Sequence, residues 1–407
     1  MSKTDKILVE VASYQDPDLL NTIRSAIIQA DYPNRVFFSV CYQGDDLEDY
    51  HKLEKINNCK AIHLWESEVK GPCYARYLCQ RLLEDEQYVF QIDSHMRFAK
   101  HWDSKMIEQL LALNDKKAML SCYPPALTKE MKLKSFDDVA FSAPSANRTI
   151  VNYAKRFRGP DDDYFLKFDS VTIDATVSKE PFRGPFIAAG NFFSFAEAHR
   201  EVLHDPEMYW CGDELPMSVR YYTHGWNNYC PSKCYVYHQY FRAERIVPQV
   251  NVSVGSKEKE RLAQLLKIKD YGYNLGQYGL GKERTLKQFE EFAGIDFSKK
   301  LIYMNAENGL FFNKSLKGKV SLPQRCFSDQ FLCIAKKDNI EVIIIDLSGE
   351  YESCVQSCLD NSQNRISFII GTTQEKTSMG LHKEHIKSLI QFDKNAHYCE
   401  ILTALIK

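Results

Sequence analysis

Asp93 and His95 stand two residues apart at the end of an apolar run, in "YVFQIDSHMRF" at 88–98. In extended backbone, residues i and i+2 point the same way. The spacing would therefore present an oxygen and a nitrogen ligand to one point, with Ser94 turned away from it. A carboxylate with an imidazole, leaving several positions for outside oxygens, suits Mn²⁺ or a similar divalent ion that holds a diphosphate. Acids also recur two apart at Asp16 and Asp18 and within Asp161, Asp162 and Asp163, so the spacing alone is a weak signal. A later block adds a small-residue turn (Ala188, Ala189, Gly190), two acids after a glycine (Asp213, Glu214) and a histidine ending an aromatic strand (His238). His238 as third ligand would complete a set of one Asp and two His, the other positions being left to phosphate oxygens and water. Taken singly, His238 and His224 also read as hydrogen-bonded members of an aromatic cluster, and Asp213 with Glu214 as a solvated helix start. Their order together favours the site.

Residues so far apart need a sheet to bring them to one edge. "KILVEVASY", "RVFFSVCY", "KAIHLWE", "YVFQI" and "KAMLSCYPP" read as strands, and helical patterns separate most of them. The first helix carries Leu20, Ile23, Ile27 and Ala30 at helical spacing, with Asp16 as its expected cap. The second, "GPCYARYLCQRLLEDE", carries Tyr74, Tyr77, Leu78 and Leu82 along one face. A third, "HWDSKMIEQLLAL", has Asp103 as its expected cap. This β-α-β alternation predicts an α/β fold with a mainly parallel sheet between helices. Such sheets bind ligands at the carboxyl ends of their strands, which is where "IDSH" falls. Residues 126–180, rich in charge and turn formers, read as a loop-rich insertion over the sheet edge. From about 256 to 297 the pattern is helical and charged. Beyond 298, "QFLCIAKK", "EVIIIDLSG", "ESCVQSCLDN" and "RISFIIGTT" read as strand, strand, helix and strand, a small C-terminal α/β module. The expected domains are thus 1–297 and 298–407.

Composition narrows the class. The chain of 407 residues is 44% hydrophobic, enough for a large core, and its net charge of −2 gives no global reason to bind nucleic acid. No segment reaches the ~18 uninterrupted apolar residues of a membrane span, and the N-terminus is too short in apolar residues for a signal-peptide core. The 13 cysteines are odd in number and scattered, the inventory of a reduced, cytoplasmic protein. Cys230 with Cys234 and Cys354 with Cys358 lie too far apart in sequence to suggest one zinc finger.

The ordered motifs resemble those of the polypeptide N-acetylglucosaminyltransferase family typified by cytoplasmic protist enzymes that glycosylate hydroxyproline on a ubiquitin-ligase adaptor. They are "VASYQDPDL", "GPCYAR", "QIDSHMRF" with the following "WD", "AAGNFFSF", "CGDE", "YYTHGW" with Pro231 beyond it, "YHQYFR", and "YNLG" followed by "ERT". The run from about residue 7 to 297 is also distantly similar to the mucin-type polypeptide N-acetylgalactosaminyltransferases. The resemblance implies a GT-A nucleotide-sugar fold, UDP-GlcNAc as donor, Mn²⁺ (or Mg²⁺), and retention of anomeric configuration. It implies that Asp93, His95 and His238 hold the metal against the donor diphosphate. Ala12, Ser13, Tyr14 and Arg76 would lie beside uridine and phosphate, with Ser94 counted in the donor-binding set. Gly190 and Asn191 would face the sugar, and Glu214 with Asp213 would stand as catalytic acids near the donor sugar and acceptor. Arg97 has two equal readings, a phosphate contact or a buried structural ion pair.

Departure of UDP develops negative charge, which a metal and cationic side chains stabilise without moving. A retaining enzyme works either by double displacement through a carboxylate, Asp213 or Glu214, or by attack on the face from which UDP departs; the resemblance favours the second. The acceptor is a protein hydroxyl or a bacterial glycan precursor. The C-terminal module lies outside the resemblance and could serve an acceptor, a partner or dimerisation. Two other functions are open to the same residues: a non-catalytic UDP-sugar-binding scaffold, and a metal-dependent phosphoesterase.

Overall fold

The computed structural model describes residues 5–138, 140–159, 163–174, 181–209, 212–240 and 252–302, and further along 325–327, 330–337, 340–345, 365–368 and 390–393. The chain divides into two compact units, residues 1–170 with 181–311 and residues 171–180 with 312–407.

In chain order the elements begin with β1 (Ile7–Tyr14), α1 (Leu19–Gln29), β2 (Val36–Gln43), α2 (Glu48–Leu53), β3 (Cys59–Leu64), α3 (Pro72–Gln80), β4 (Tyr88–Asp93), β5 (Met96–Phe98), α4 (Trp102–Ala112) and β6 (Ala118–Ser121). They continue with α5 (Lys129–Asp137), β7 (Arg148–Phe157), β8 (Leu166–Asp174), β9 (Phe182–Arg183), β10 (Asn191–Phe195), α6 (Ala196–Glu201), α7 (Leu215–Thr223), β11 (Asn227–Cys230) and β12 (Val236–His238). After these come α8 (Val252–Leu265), α9 (Leu286–Ala293) and the short pair β13 (Ile295–Asp296) and β14 (Leu301–Ile302).

Eight strands form one sheet in the order β3-β2-β1-β4-β10-β6-β11-β9. The first four are mutually parallel, as the alternation predicts, and β11 runs parallel to β6. β10 enters antiparallel between β4 and β6. That reversal matters for the site, because an antiparallel strand brings its N-terminal end to the edge where its neighbours end. Register pairs Ala12 with Asp93 across β1 and β4, and Ile92 with Asn191 across β4 and β10. Gly190 therefore arrives beside Asp93.

Apolar residues on both faces of β1 follow from cover on both sides. Ile7, Val9 and Val11 pack with Leu19, Ile23 and Trp102 of α1 and α4, while Leu8 packs with Val89 and Ala196 on the other face. Trp102 sits among Phe90 and Phe98, and its indole N–H donates to the Ala26 carbonyl at 2.8 Å.

Several local expectations change. α3 buries Cys73, Ala75, Arg76, Cys79 and Gln80, with Tyr74, Tyr77 and Leu78 only half-buried. Ala75 and Cys79 pack with Cys41 of β2 in a cluster that Leu78 also joins, while Arg76 is turned to Asp93. Asp103 is not a cap. It lies inside the first turn of α4, where its carboxylate takes the Asp31 and Tyr32 amides and the Arg35 guanidinium. Asp16 does not cap α1 either; Asp18 is the preceding residue, with no side-chain capping bond, and Asp16 faces β4 and β5. The described residues between 126 and 174 are not loops alone: they contain α5 and the paired strands β7 and β8.

In the second unit, β15 (Arg325–Phe327), β16 (Gln330–Lys337) and β17 (Ile340–Ile345) form an antiparallel three-stranded sheet, and β18 (Arg365–Phe368) pairs with β19 (Ile390–Asp393). The helix expected over "ESCVQSCLDN" lies outside the described residues.

Candidate active site

β4 ends at Asp93, the chain turns through Ser94 and His95, and β5 then pairs antiparallel with β12 in a register that sets His238 opposite Met96. The pairing brings together residues that the sequence separates by half of the first unit. His238 Nε2 lies 2.9 Å from His95 Nε2 and 3.1 Å from Asp93 Oδ2. One ligand atom from each of Asp93, His95 and His238 falls within 4.8 Å of the others.

These residues fit a divalent cation. Two imidazole nitrogens and a carboxylate oxygen point at one another, which without a cation brings two nitrogen lone pairs into competition for one proton. The donor set is one that Mn²⁺ accepts. Asp16, Asp93 and Asp213 also border the same cavity as Arg76, so carboxylates outnumber the guanidinium on its wall.

The cavity encloses about 360 Å³. Of the residues expected to meet a donor, Ala12, Tyr14, Arg76, Asp93, Ser94, Gly190, Asp213 and Glu214 border it. Ser13 does not: strand alternation turns its side chain to the other face of β1, where it is fully buried. Asn191 does not either. Its amide is spent inside the sheet, donating to the Cys122 carbonyl at 3.0 Å. Ser94, expected to turn away from the metal point, donates its hydroxyl to Asp16 Oδ2 at 2.7 Å. Arg97 makes a buried fork onto Asp18, at 2.7 and 2.8 Å, and does not border the cavity. The structural reading of Arg97 replaces the phosphate contact. Gly190 is required by close approach: a Cβ there would overlap the Asp93 carboxylate.

Arg76 projects from α3 and donates to Asp93 Oδ1 at 3.0 Å, with its Nε 3.7 Å from Asp213 Oδ2. Gly71 and Pro72 start that helix; Gly71 has φ +90° and lies against the Tyr209 carbonyl, so a side chain is excluded there twice over. Burial pulls the Asp93 pKa upward, but the hydrogen bond from His238 and the charge of Arg76 outweigh it and hold the carboxyl below its usual range. Asp213 and Glu214 behave oppositely. Burial, with Asp93 nearby, raises Asp213 to about 6, and burial together with Asp213 raises Glu214 to about 8. Glu214 sits at the start of α7, accepting from the Tyr123 hydroxyl at 3.0 Å and the Ala189 amide at 3.5 Å.

Asp16, Gln43, Tyr123 and Tyr240 also border the cavity and were not among the expected site residues. Tyr123 had a readable signal, an aromatic just past β6 at the ligand edge, ahead of Pro124 and Pro125. Asp16 looked like a helix cap. Arg242, which closes "YHQYFR", lies outside the described residues.

A family model described as Glycosyltransferase (GlcNAc) matches residues 44–299. No curated protein matches the sequence. Among solved structures, GalNAc-T7 with UDP, GalNAc and Mn²⁺ is similar at 15% identity over 84% of this chain and 71% of that one, with TM-score 0.46. Residues 1–349 of S. aureus TarS are similar at 13% identity over 77% of this chain and 76% of that one, with TM-score 0.43. TarS 1–349 in complex with UDP-GlcNAc also matches, at 13% identity over 71% and 70%, with TM-score 0.43.

Proposed function

The chain belongs to the GlcNAc glycosyltransferase family, and from that premise we propose that it moves N-acetylglucosamine from UDP-GlcNAc to an acceptor hydroxyl with retention of configuration. The observation that carries the reading is the convergence of Asp93, His95 and His238 in the cavity that Asp213 and Glu214 also border. The mainly parallel sheet with its ligand edge is the GT-A arrangement.

Asp93, His95 and His238 would hold Mn²⁺ or Mg²⁺, which when bound neutralises charge on a diphosphate leaving group. Arg76 keeps Asp93 in place and adds a fixed positive charge beside it. Ala12 and Tyr14 border the uridine, Ser94 the diphosphate, and Gly190 the sugar. In the transfer, the bond from sugar C1 to the β-phosphate oxygen breaks, the acceptor oxygen bonds to C1 from the same face, and the hydroxyl proton passes to the departing phosphate oxygen. Same-face attack follows the family resemblance; a double displacement would fall to Asp213, whose pKa of about 6 leaves it ionised, sooner than to Glu214, which burial raises to about 8. Protonated, it can donate a hydrogen bond, and Tyr123 fixes where it stands.

We assign the catalytic domain to residues 1–297 and an appended module, for acceptor, partner or self-association, to 298–407. The proposed acceptor is a protein hydroxyl, with a bacterial glycan precursor as the alternative, and the proposed setting is the cytoplasm. Among the described residues no helix is long and apolar enough to cross a membrane.

The test is a donor and acceptor screen with Mn²⁺. UDP-GlcNAc should yield UDP and an α-linked product by NMR, and Asp93→Ala should abolish both. An inverted linkage would overturn retention. Release of UMP or inorganic phosphate would point to the phosphoesterase, donor binding without turnover to the scaffold, and modification of glycan precursors alone would redirect the acceptor.

A further inference from the structure

The run Asp16-Pro17-Asp18 has the spacing of a two-carboxylate metal motif, yet neither acid belongs to the Asp93, His95 and His238 group. Both are turned onto the strand turn that carries those ligands. Asp16 Oδ2 lies 2.7 Å from His95 Nδ1 and accepts from the Ser94 hydroxyl at 2.7 Å, while its Oδ1 takes the Asp18 amide at 3.0 Å. Asp18 holds Arg97. Thr22, one turn into α1, accepts from the Met96 amide at 2.9 Å and donates to the Ser94 carbonyl at 2.8 Å. Residues 94–97 are thus each gripped by the entry to α1.

A neutral imidazole carries one proton, and a carboxylate against Nδ1 keeps it there. The lone pair then stays on Nε2, the atom that faces His238. Asp16 is buried and held at both oxygens, so it also fixes the plane of the ring. We infer that Asp16 is a positioning residue for the metal site, setting the tautomer and orientation of His95 so that Nε2 is ready to bind a divalent cation. The inference rests on the metal site proposed above. Partners of this kind behind a ligating histidine are worth about 10–100-fold in metal affinity.

The experiment measures Mn²⁺ binding to the metal-free 407-residue chain from the EPR signal of free Mn²⁺, in wild type, Asp16→Asn and Asp16→Ala. Long-range ¹H–¹⁵N spectra of the metal-free histidine rings run in parallel, with His95 identified by its loss in His95→Gln. Wild type should bind and show His95 protonated on Nδ1. Asp16→Asn should bind about 10–100-fold more weakly, with the His95 proton moved toward Nε2, because an amide can donate to Nδ1. Equal binding by wild type and Asp16→Asn with an unchanged tautomer would overturn the role of Asp16 alone. Failure of wild type to bind Mn²⁺ would overturn the metal site itself. Should Asp16→Asn not fold, Asp16→Ala carries the test: without the carboxylate against Nδ1, weaker binding and a mixed tautomer are expected, and no change in either would refute the inference.

Discussion

Asp93 and Glu214 face one cavity as acids in opposite states, and their neighbours explain why. Asp93 has a guanidinium and two imidazoles around it and stays ionised. Glu214 is buried with another acid beside it, which raises its pKa to about 8. In an unfolded chain a glutamate loses its proton near pH ~4.3. Between those values the folded protein binds more protons than the unfolded one, so stability should fall as pH rises through this window. Glu214→Gln, which cannot ionise, should flatten that fall; thermal melting of the metal-free protein across the window checks it, and an unchanged slope would reassign the titration. At the same scale, Gly190→Ala drives a methyl into the Asp93 carboxylate. It should weaken Mn²⁺ binding and UDP release together, read by calorimetry and by a UDP assay.

At the scale of elements, the site depends on three strand ends and one helix entry. β4 delivers Asp93, β12 delivers His238 through its pairing with β5, and β10, running the other way, delivers the small-residue turn. α1 pins the β4–β5 turn through Asp16, Asp18 and Thr22. Arg97→Met would leave the buried Asp18 carboxylate without its fork, a loss of about 3–5 kcal/mol by denaturant unfolding. KM for UDP-GlcNAc should rise only together with that loss of stability, since the pair acts by pinning the β4–β5 turn. A rise in KM without loss of stability would restore the phosphate reading of Arg97. Phe90→Ala tests the packing beneath the site. Its ring meets Phe98, Trp102 and Phe193, so its removal should cost about 3–5 kcal/mol.

At the scale of the whole molecule, a cation that binds only the folded chain links the site to global stability. Mn²⁺ at about 100 times its Kd should stabilise the protein by about 2.7 kcal/mol, seen as a higher Tm that EDTA reverses. Asp93→Ala should abolish the shift. A shift that survives in that variant would place the cation elsewhere.

What the sequence by itself determined were features written in local pattern. Alternation of apolar strands with helices predicted the parallel part of the sheet and put Asp93 at its ligand edge, since chain order and side-chain period are enough for that. Motif order pointed to the glycosyltransferase family and paired His238 with Asp93 and His95. Tertiary structure decided the rest, because it turns on which face and which partner a side chain meets. It reversed β10, moved Ser13 and Asn191 out of the cavity, committed Arg97 to Asp18, and turned Asp16 from a helix cap into the carboxylate behind His95. None of these is visible locally, for a buried polar group takes whatever partner the packing of distant segments brings within hydrogen-bond reach.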